Sequence, residues 1–398
     1  MVPNGWLKTT FGQVTEIGNG QVDPKVEPYS SMTHIGPENV VSHTGQITKL
    51  KSCSELGLIS GKYEFDENAI VYSKIRPNLN KVCKPKFKGV CSADMYPIWA
   101  KNEVDIDFLQ HYMLGPHFNR IAIAMSMRTG MPKINRADLN SLALNLPPRP
   151  EQCKIAKILS TWDKAIATTE KLIETSKQQK KALMQQLLTG KKRLVNPETD
   201  KAFQGEWEEV PLSRWLIEFK EKSSVQDQHR VYTSSRSGLL PQDEYFGNSR
   251  ISDRKNIGFH VLPPEHMTYR SRSDDGFFTF NLFKGKENGI ISHYYPVFTS
   301  KGSNDFFIAL LEQYRSVFGK HSVGTSQKVL SFNALKAINF SVPSTEEQQK
   351  IASVLTSADK EIEVLEAKLS HFKQEKKALM QQLLTGKRRV KVAETEST

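Results

Sequence analysis

Cysteine is scarce, with four in 398 residues, and Cys53, Cys83, Cys91 and Cys153 form no C-x-x-C pair. A disulfide framework is excluded and structural zinc is unsupported; these are ordinary reduced thiols. No apolar run approaches the ~18 residues of a membrane span. The opening residues, Met-Val-Pro-Asn-Gly-Trp, show no charged region followed by an apolar one. The expectation is a soluble cytoplasmic protein with no membrane partner. Phosphate-loop chemistry is missing too. No G-x4-GK-[ST] motif occurs, and Gly190-Lys191 and Gly386-Lys387 follow helical sequence rather than a strand. The run Asn145-Leu146-Pro147-Pro148 superficially resembles the N-P-P-[YF] pocket of amino-methyltransferases, but its prolines suit a helix start. His111 and His117 have no neighbours at metal-ligand spacing. The reading is no catalytic constellation, no metal and no cofactor on this chain. What is present is 38% apolar residues, enough for two or three cores, and 55 Lys+Arg against 43 Asp+Glu, a net charge of +12. That excess permits nucleic-acid binding without establishing it.

The chain repeats itself. Lys180–Lys191 and Lys376–Lys387 both read KKALMQQLLTGK, 196 positions apart. The same offset aligns Glu151-Gln152-x-Lys154-Ile155-Ala156 with Glu347-Gln348-x-Lys350-Ile351-Ala352, Asp163-Lys164 with Asp359-Lys360, and Pro147 with Pro343. Weaker echoes, at slightly different offsets, pair Asn4-Gly5-Trp6 with Gly205-Glu206-Trp207 and Met95–Ile98 with Tyr294–Val297. The chain is a half of about 196 residues written twice.

The repeated segment has a helical rhythm of mostly apolar positions at alternating spacings of four and three. The positions are Ile155, Leu159, Trp162, Ile166, Thr169, Ile173, Ser176, Lys180, Leu183 and Leu187, then Ile351, Leu355, Ala358, Ile362, Leu365, Leu369, Phe372, Lys376, Leu379 and Leu383. That is a coiled-coil period. Upstream Pro, first-turn Glu151 and Glu347, and trailing Gly190 and Gly386 with basic tails mark start and stop. Each helix should span roughly 38 residues, about 57 Å. The simplest way to cover both seams is antiparallel pairing about an internal pseudo-two-fold; packing of each helix on its own half is the alternative.

The expected fold class is mixed α/β (α+β). Two β-rich domains, 1–150 and 195–346, are joined by helices over 151–194 and 347–390, with a tail at 391–398. Strands are expected at Ala69–Tyr72, Tyr96–Trp99, Met267–Tyr269, Gly276–Phe280 and Tyr295–Thr299, and helices at Phe108–Leu114 and Phe306–Phe318.

The helix copies have stayed alike while the globular halves have diverged, which suggests one partner bound twice and two different ligands. Charge is local as well. Residues 1–150 carry 17 basic and 13 acidic side chains, 151–194 carry 10 and 4, and 195–346 carry 18 of each. From Lys74 to Ala93 there are six basic residues and no acid. A basic loop leaving a strand can follow a phosphate backbone, with Arg or Asn reaching base edges. The DNA-contact candidates in the first half are Lys74, Arg76, Asn78, Lys81, Lys84, Lys86, Arg128 and Lys133. Those in the second are Arg250, Arg254, Arg270, Arg272, Lys284 and Lys328, diluted by Asp274 and Asp275. On residues alone two rivals stand: a self-contained sequence-specific DNA-modifying enzyme, and a coiled-coil scaffold that would leave two elaborate domains without a task.

One family combines these features. The two domains that each open near a Trp, Ser73-Lys74-Ile75-Arg76-Pro77-Asn78-Leu79-Asn80-Lys81 after a strand, the Pro-x2/3-Glu-Gln-x-x-Ile-Ala helix start and the twice-used Leu-Met-Gln-Gln-Leu-Leu-Thr-Gly-Lys ending resemble the specificity (S) subunits of type I restriction-modification systems. The resemblance covers nearly the whole chain. It implies two target recognition domains, each reading one half of a split, asymmetric site on double-stranded DNA. It also implies paired helices that act as a spacer and dock two methyltransferase subunits, and through them restriction subunits, with S-adenosylmethionine bound in the methyltransferase. The docking candidates are Leu183, Gln185, Gln186 and Leu187, with Leu379, Gln381, Gln382 and Leu383 in the second copy.

Overall fold

A computed structural model describes residues 2–101, 103–126, 132–235, 238–247 and 255–392. Four helices matter most: α1 (Ile106–Leu114), α2 (Arg149–Leu187), α3 (Asn304–Gln313) and α4 (Thr345–Leu383). The long pair, α2 and α4, have 39 residues each, about 58 Å. Among the described residues none is apolar enough to cross a membrane. The chain divides into two compact units. Unit 1 comprises Met1–Glu170 and Ala367–Thr398; unit 2 is Lys171–Glu366.

In unit 1 the sequence Ile70–Ser73 is apolar on both faces and becomes a fully buried strand, paired antiparallel with Met95–Ala100 in the register Ile70↔Ile98 and Tyr72↔Tyr96. Thr15–Ile17 and Val82–Cys83 flank this pair. A second four-stranded sheet has the order Lys51–Ser52, Thr33–Ile35, Gly89–Cys91, Tyr63–Phe65, in which Thr33–Ile35 and Gly89–Cys91 run parallel. Phe11, Tyr72, Phe108, Tyr112 and Phe118 fill the main core. Rings of Tyr72 and Tyr112 meet Phe118 edge-on, an arrangement favoured by the aromatic quadrupole.

Unit 2 repeats this topology strand for strand. Leu216–Phe219, Val297–Ser300, Met267–Tyr269 and Phe280–Leu282 form one sheet; Gly238–Pro241, Arg230–Ser235, Gly289–Ile291 and His260–Leu262 form the other, again with one parallel pair. Two sequence expectations need correction here. The strand expected at Gly276–Phe280 begins only at Phe280, because Asp275 accepts hydrogen bonds from Ser273 Oγ and Phe277 N and Gly276 takes a left-handed φ of +77°. Turn chemistry outweighs the β propensity of the phenylalanines. The helix expected to reach Phe318 ends at Gln313, and Phe318 enters the core from a 3-10 turn.

The repeated Glu-Gln pair joins each domain to its long helix by the same contacts. Gln152, 1% exposed, accepts from the Asp105 N–H that opens α1 (2.8 Å) and donates to Pro147 O (2.8 Å). Gln348, fully buried, accepts from Ser303 N at the start of α3 (3.1 Å) and donates to Pro343 O (3.0 Å). Glu151 is bound by Trp6 Nε1 (3.1 Å) and by Arg389 through Nε and Nη2 (both 2.7 Å). Glu347 is bound by Trp207 Nε1 (3.2 Å) and by Arg193 through the same two nitrogens (2.6 and 2.7 Å). A charged fork closes on a buried carboxylate in both units. The basic tails therefore do more than complement a helix dipole: the last arginine of each reaches the first turn of the other long helix.

Within unit 1 the contacts run antiparallel. Trp162 meets Phe372 edge-on at 5.6 Å, Lys376 bonds Asp163, Lys373 lies 2.7 Å from Glu170 and Arg389 holds Glu151. In unit 2, Lys177 reaches Glu366 (2.6 Å), Lys180 bonds Asp359 and Arg193 holds Glu347. The seam lysines thus carry matched ion pairs. Gly386, at φ +69°, ends α4 where a Cβ would stand 2.3 Å from Pro3, so both conformation and space require glycine.

Candidate nucleic-acid interface

The basic stretch after Ile70–Ser73 is shaped by backbone bonds that leave its side chains divided in role. Lys74 N donates to Asp94 O (3.0 Å), Lys74 O accepts from Ile134 N (2.9 Å) and Arg76 N donates to Pro132 O (2.8 Å), while Ile75 bridges Lys133. Arg76 and Asn80, both left-handed at φ +47° and +41°, bracket the 3-10 turn Pro77–Leu79. Left-handed φ is costly for side chains other than glycine, and the Asn80 Nδ2 bond to Leu114 O (3.0 Å) helps hold it. Arg76 and Asn78 are left exposed beside exposed Lys133.

Lys74 is 9% exposed, with its ammonium 5.1 Å from the Tyr96 ring centre; the Arg136 guanidinium covers Tyr96 at 4.9 Å and Tyr63 at 5.6 Å. Burial first, then repulsion from Lys133, holds Lys74 below the ordinary lysine range, with Tyr63 and Asp94 pulling the other way and Arg136 adding a smaller repulsion. A half-buried cluster of like charge gains from an incoming anion.

The other basic candidates of this unit are engaged elsewhere. Lys81 donates to Pro37 O (2.5 Å), and Lys84 pairs with Asp107. Lys84 and exposed Lys86 line a cleft of about 1200 Å³ whose walls also carry Lys157, Lys164 and Lys377 from α2 and α4. His111 faces this cleft with Nε2 3.2 Å from Ser160 Oγ and Nδ1 3.8 Å from Asp163; burial pushes its pKa down to about 3. Arg128, Arg250 and Arg254 lie outside the described residues.

Unit 2 has the corresponding corner. After Met267–Tyr269, Ser271 O accepts from Leu330 N (2.9 Å) and Ser271 Oγ donates to Tyr294 O (2.6 Å), while Arg272 pairs with Val329 and Ser273 with Lys328. Arg270 and Arg272 are exposed and Lys328 is half-buried. Lys284 sits apart, 3.8 Å from Asp305. The structure thus brings together Lys74, Arg76, Asn78 and Lys133 in one unit and Arg270, Arg272 and Lys328 in the other. The sequence candidates do not include Arg136, Tyr63 or Tyr96; the echo of Met95–Ile98 in Tyr294–Val297 marks a repeated position without giving it a role.

At the helix ends, Gln185, Gln186, Gln381 and Gln382 are exposed, Leu183 and Leu379 half-buried. Leu187 and Leu383 are corrected: at 0% and 2% exposure they are core residues of their units, drawn in by the last helical turn. Thr189 and Thr385 close that turn by donating to Gln185 O and Gln381 O (both 2.6 Å).

Two units of one topology, diverged at matching basic corners and bolted alike to long helices, define an internally duplicated two-domain protein. The profile of the type I restriction modification DNA specificity domain matches residues 3–178 and 273–373, most of the chain. The chain belongs to that family, the specificity subunits of type I restriction-modification systems. It is 36% identical over 205 residues to the EcoDI specificity subunit of Escherichia coli, spanning 52% of this chain and 43% of that relative. It is 27% identical to the MjaVIII specificity subunit of Methanocaldococcus jannaschii, covering 76% of this chain and 75% of the relative. Among solved structures it is similar in fold to the HsdS subunit of Thermoanaerobacter tengcongensis (TM-score 0.51, 17% identity, 97% of this chain and 98% of that one). It is also similar to the type I S subunit of M. genitalium (TM-score 0.57, 15% identity, 96% and 99%).

Proposed function

We propose that this chain is the non-catalytic reader of a type I restriction-modification complex, with unit 1 and unit 2 each recognising one half of a split, asymmetric site on double-stranded DNA. The observation carrying this is the pair of corners: one backbone framework, with Lys74, Arg76 and Lys133 on one copy and Arg270, Arg272 and Lys328 on the other. Different side chains on one frame suit two different half-sites. The exposed glutamines repeated at 185–186 and 381–382 suit one partner bound twice, which we take to be the methyltransferase subunit. That subunit would bind S-adenosylmethionine and link the chain to restriction subunits, in the cytoplasm. Over their lengths the two long helices would form the antiparallel coiled coil expected from the heptads, supported by the matched pairs Lys376–Asp163 and Lys180–Asp359.

Co-expression with a cognate methyltransferase subunit and mapping of methylated adenines tests this. A bipartite, non-palindromic site is expected, and Arg76→Ala should relax one half-site only. Methylation by the purified chain without a partner would favour a self-contained enzyme instead.

A further inference from the structure

The turn that follows the second strand of the parallel pair is closed in the same way in both units. Met95 N donates to Ser92 O and Tyr295 N to Ser292 O, each at 2.9 Å, and the turn is tied to the neighbouring loop through Asp94 O in one unit and Tyr294 O in the other. On that shared frame the exposed residues differ completely. Unit 1 has half-buried Ala93 and exposed Asp94; unit 2 presents His293 and Tyr294, both exposed, Tyr294 to 47%. The Arg272 guanidinium stands 4.4 Å from the Tyr294 ring centre, and the His293 and Tyr294 rings are 4.0 Å apart. Phe259 meets His293 edge-on at 6.5 Å.

An exposed tyrosine with a guanidinium laid over it, and an exposed histidine tilted against the same ring, form an aromatic and cationic face that is open to solvent among the described residues. The stack fixes the plane of an otherwise mobile arginine, so less freedom is lost when its fork engages a ligand. Ser271 Oγ holds the Tyr294 carbonyl, which stiffens the turn beneath. Two parallel donors in a fixed plane match the O6 and N7 acceptors that guanine shows in the major groove.

We propose that Arg272, held against Tyr294, reads a guanine in the half-site bound by unit 2, with His293 extending the aromatic face beside that base pair. This rests on the chain being a DNA specificity subunit and goes beyond it in naming the reading element and its base. Neither His293 nor Tyr294 belongs to the basic stretches that sequence singles out.

The test uses the full chain in complex with its methyltransferase subunit, DNA libraries randomised in one half-site at a time, and binding competition at fixed salt. Wild type should demand guanine at one position of one half-site. Arg272→Ala should lower that discrimination roughly ten- to hundred-fold while leaving other positions and the other half-site intact. Arg272→Lys should not restore it, because an ammonium cannot make the paired bonds, and Tyr294→Ala should weaken the same position to a smaller degree. Since Arg272 joins its strand through backbone bonds, these surface variants keep the fold; Arg272→Lys and Tyr294→Ala carry the test if Arg272→Ala does not. Uniform loss of affinity on every sequence, full rescue by lysine, or a change in the other half-site would overturn the assignment. A wild-type complex with no sequence preference would instead reject the specificity-subunit reading beneath it.

Discussion

Arg389 and Arg193 each neutralise a glutamate that has almost no access to water: the Glu151 side chain is 4% exposed and that of Glu347 1%. Removing the arginine leaves a buried carboxylate with an indole N–H as its remaining side-chain partner. Arg389→Ala should destabilise unit 1 by roughly 2–3 kcal/mol, and Arg193→Ala unit 2 similarly, read as a shift in denaturant midpoint. Equal effects of either variant on both units would show that the clamps are not local. His111 is the other residue-scale lever. Its folded pKa, about 3, lies below the ordinary 6.5, so the unfolded chain binds more protons between those values and stability falls as pH drops from about 6.5 toward 3. The slope approaches about 1.4 kcal/mol per pH unit within that window. His111→Leu should flatten it, in thermal melts from pH 7 to 4; an unchanged profile would place the acid sensitivity elsewhere.

Among the elements, the long helices were the most legible and the strands near the basic corners the least. A 3.5-residue period imposes its own test over ten positions, and it places Ile155, Leu159, Ile351 and Leu355 in buried sites. Proline, Glu-Gln and glycine gave the helix limits, but not what Gln152 and Gln348 hold: those contacts join residues 45 and 47 apart with no local pattern. The Gly276–Phe280 segment misled because one Asp-Gly turn outweighs three aromatic residues. The corners themselves were half visible. Charge marks Lys74–Lys88, yet which lysines are free depends on partners such as Pro37 O and Asp107, fixed only by the fold. Trp162 is the element-scale test. It packs edge-on against Phe372 between antiparallel helix segments, and Trp162→Ala should cost about 2 kcal/mol, lowering the melting temperature of unit 1. No change would mean that the ion pairs and the packing of Ile155 and Leu159 with Met380 and Leu383 hold those segments without it.

For the whole molecule, the positive charge is unequally shared, and binding to DNA should reveal it. The region 1–150 has an excess of basic side chains, while 195–346 is balanced. Phosphate contacts release counterions, so Lys133→Ala should weaken binding on all sequences alike and reduce the log–log salt slope by about one. Fluorescence anisotropy from 50 to 200 mM salt would measure it; an unaltered slope would remove Lys133 from the phosphate path. The duplication was readable from twelve identical residues, but the matching of two four-stranded sheets in each unit was not, because the globular halves keep their topology while sharing few residues.

Unit 2 is one continuous stretch, whereas unit 1 is assembled from the two ends of the chain. During synthesis, unit 2 can close while the last turns of α4 are still being made. The N-terminal domain must wait with Ile155 and Leu159 lacking Met380, Leu383 and Leu384, and with Glu151 lacking Arg389. A premature stop near residue 375 is then a lesion of the domain made earlier and not of the one made later, so order of synthesis and order of completion are reversed between the two units.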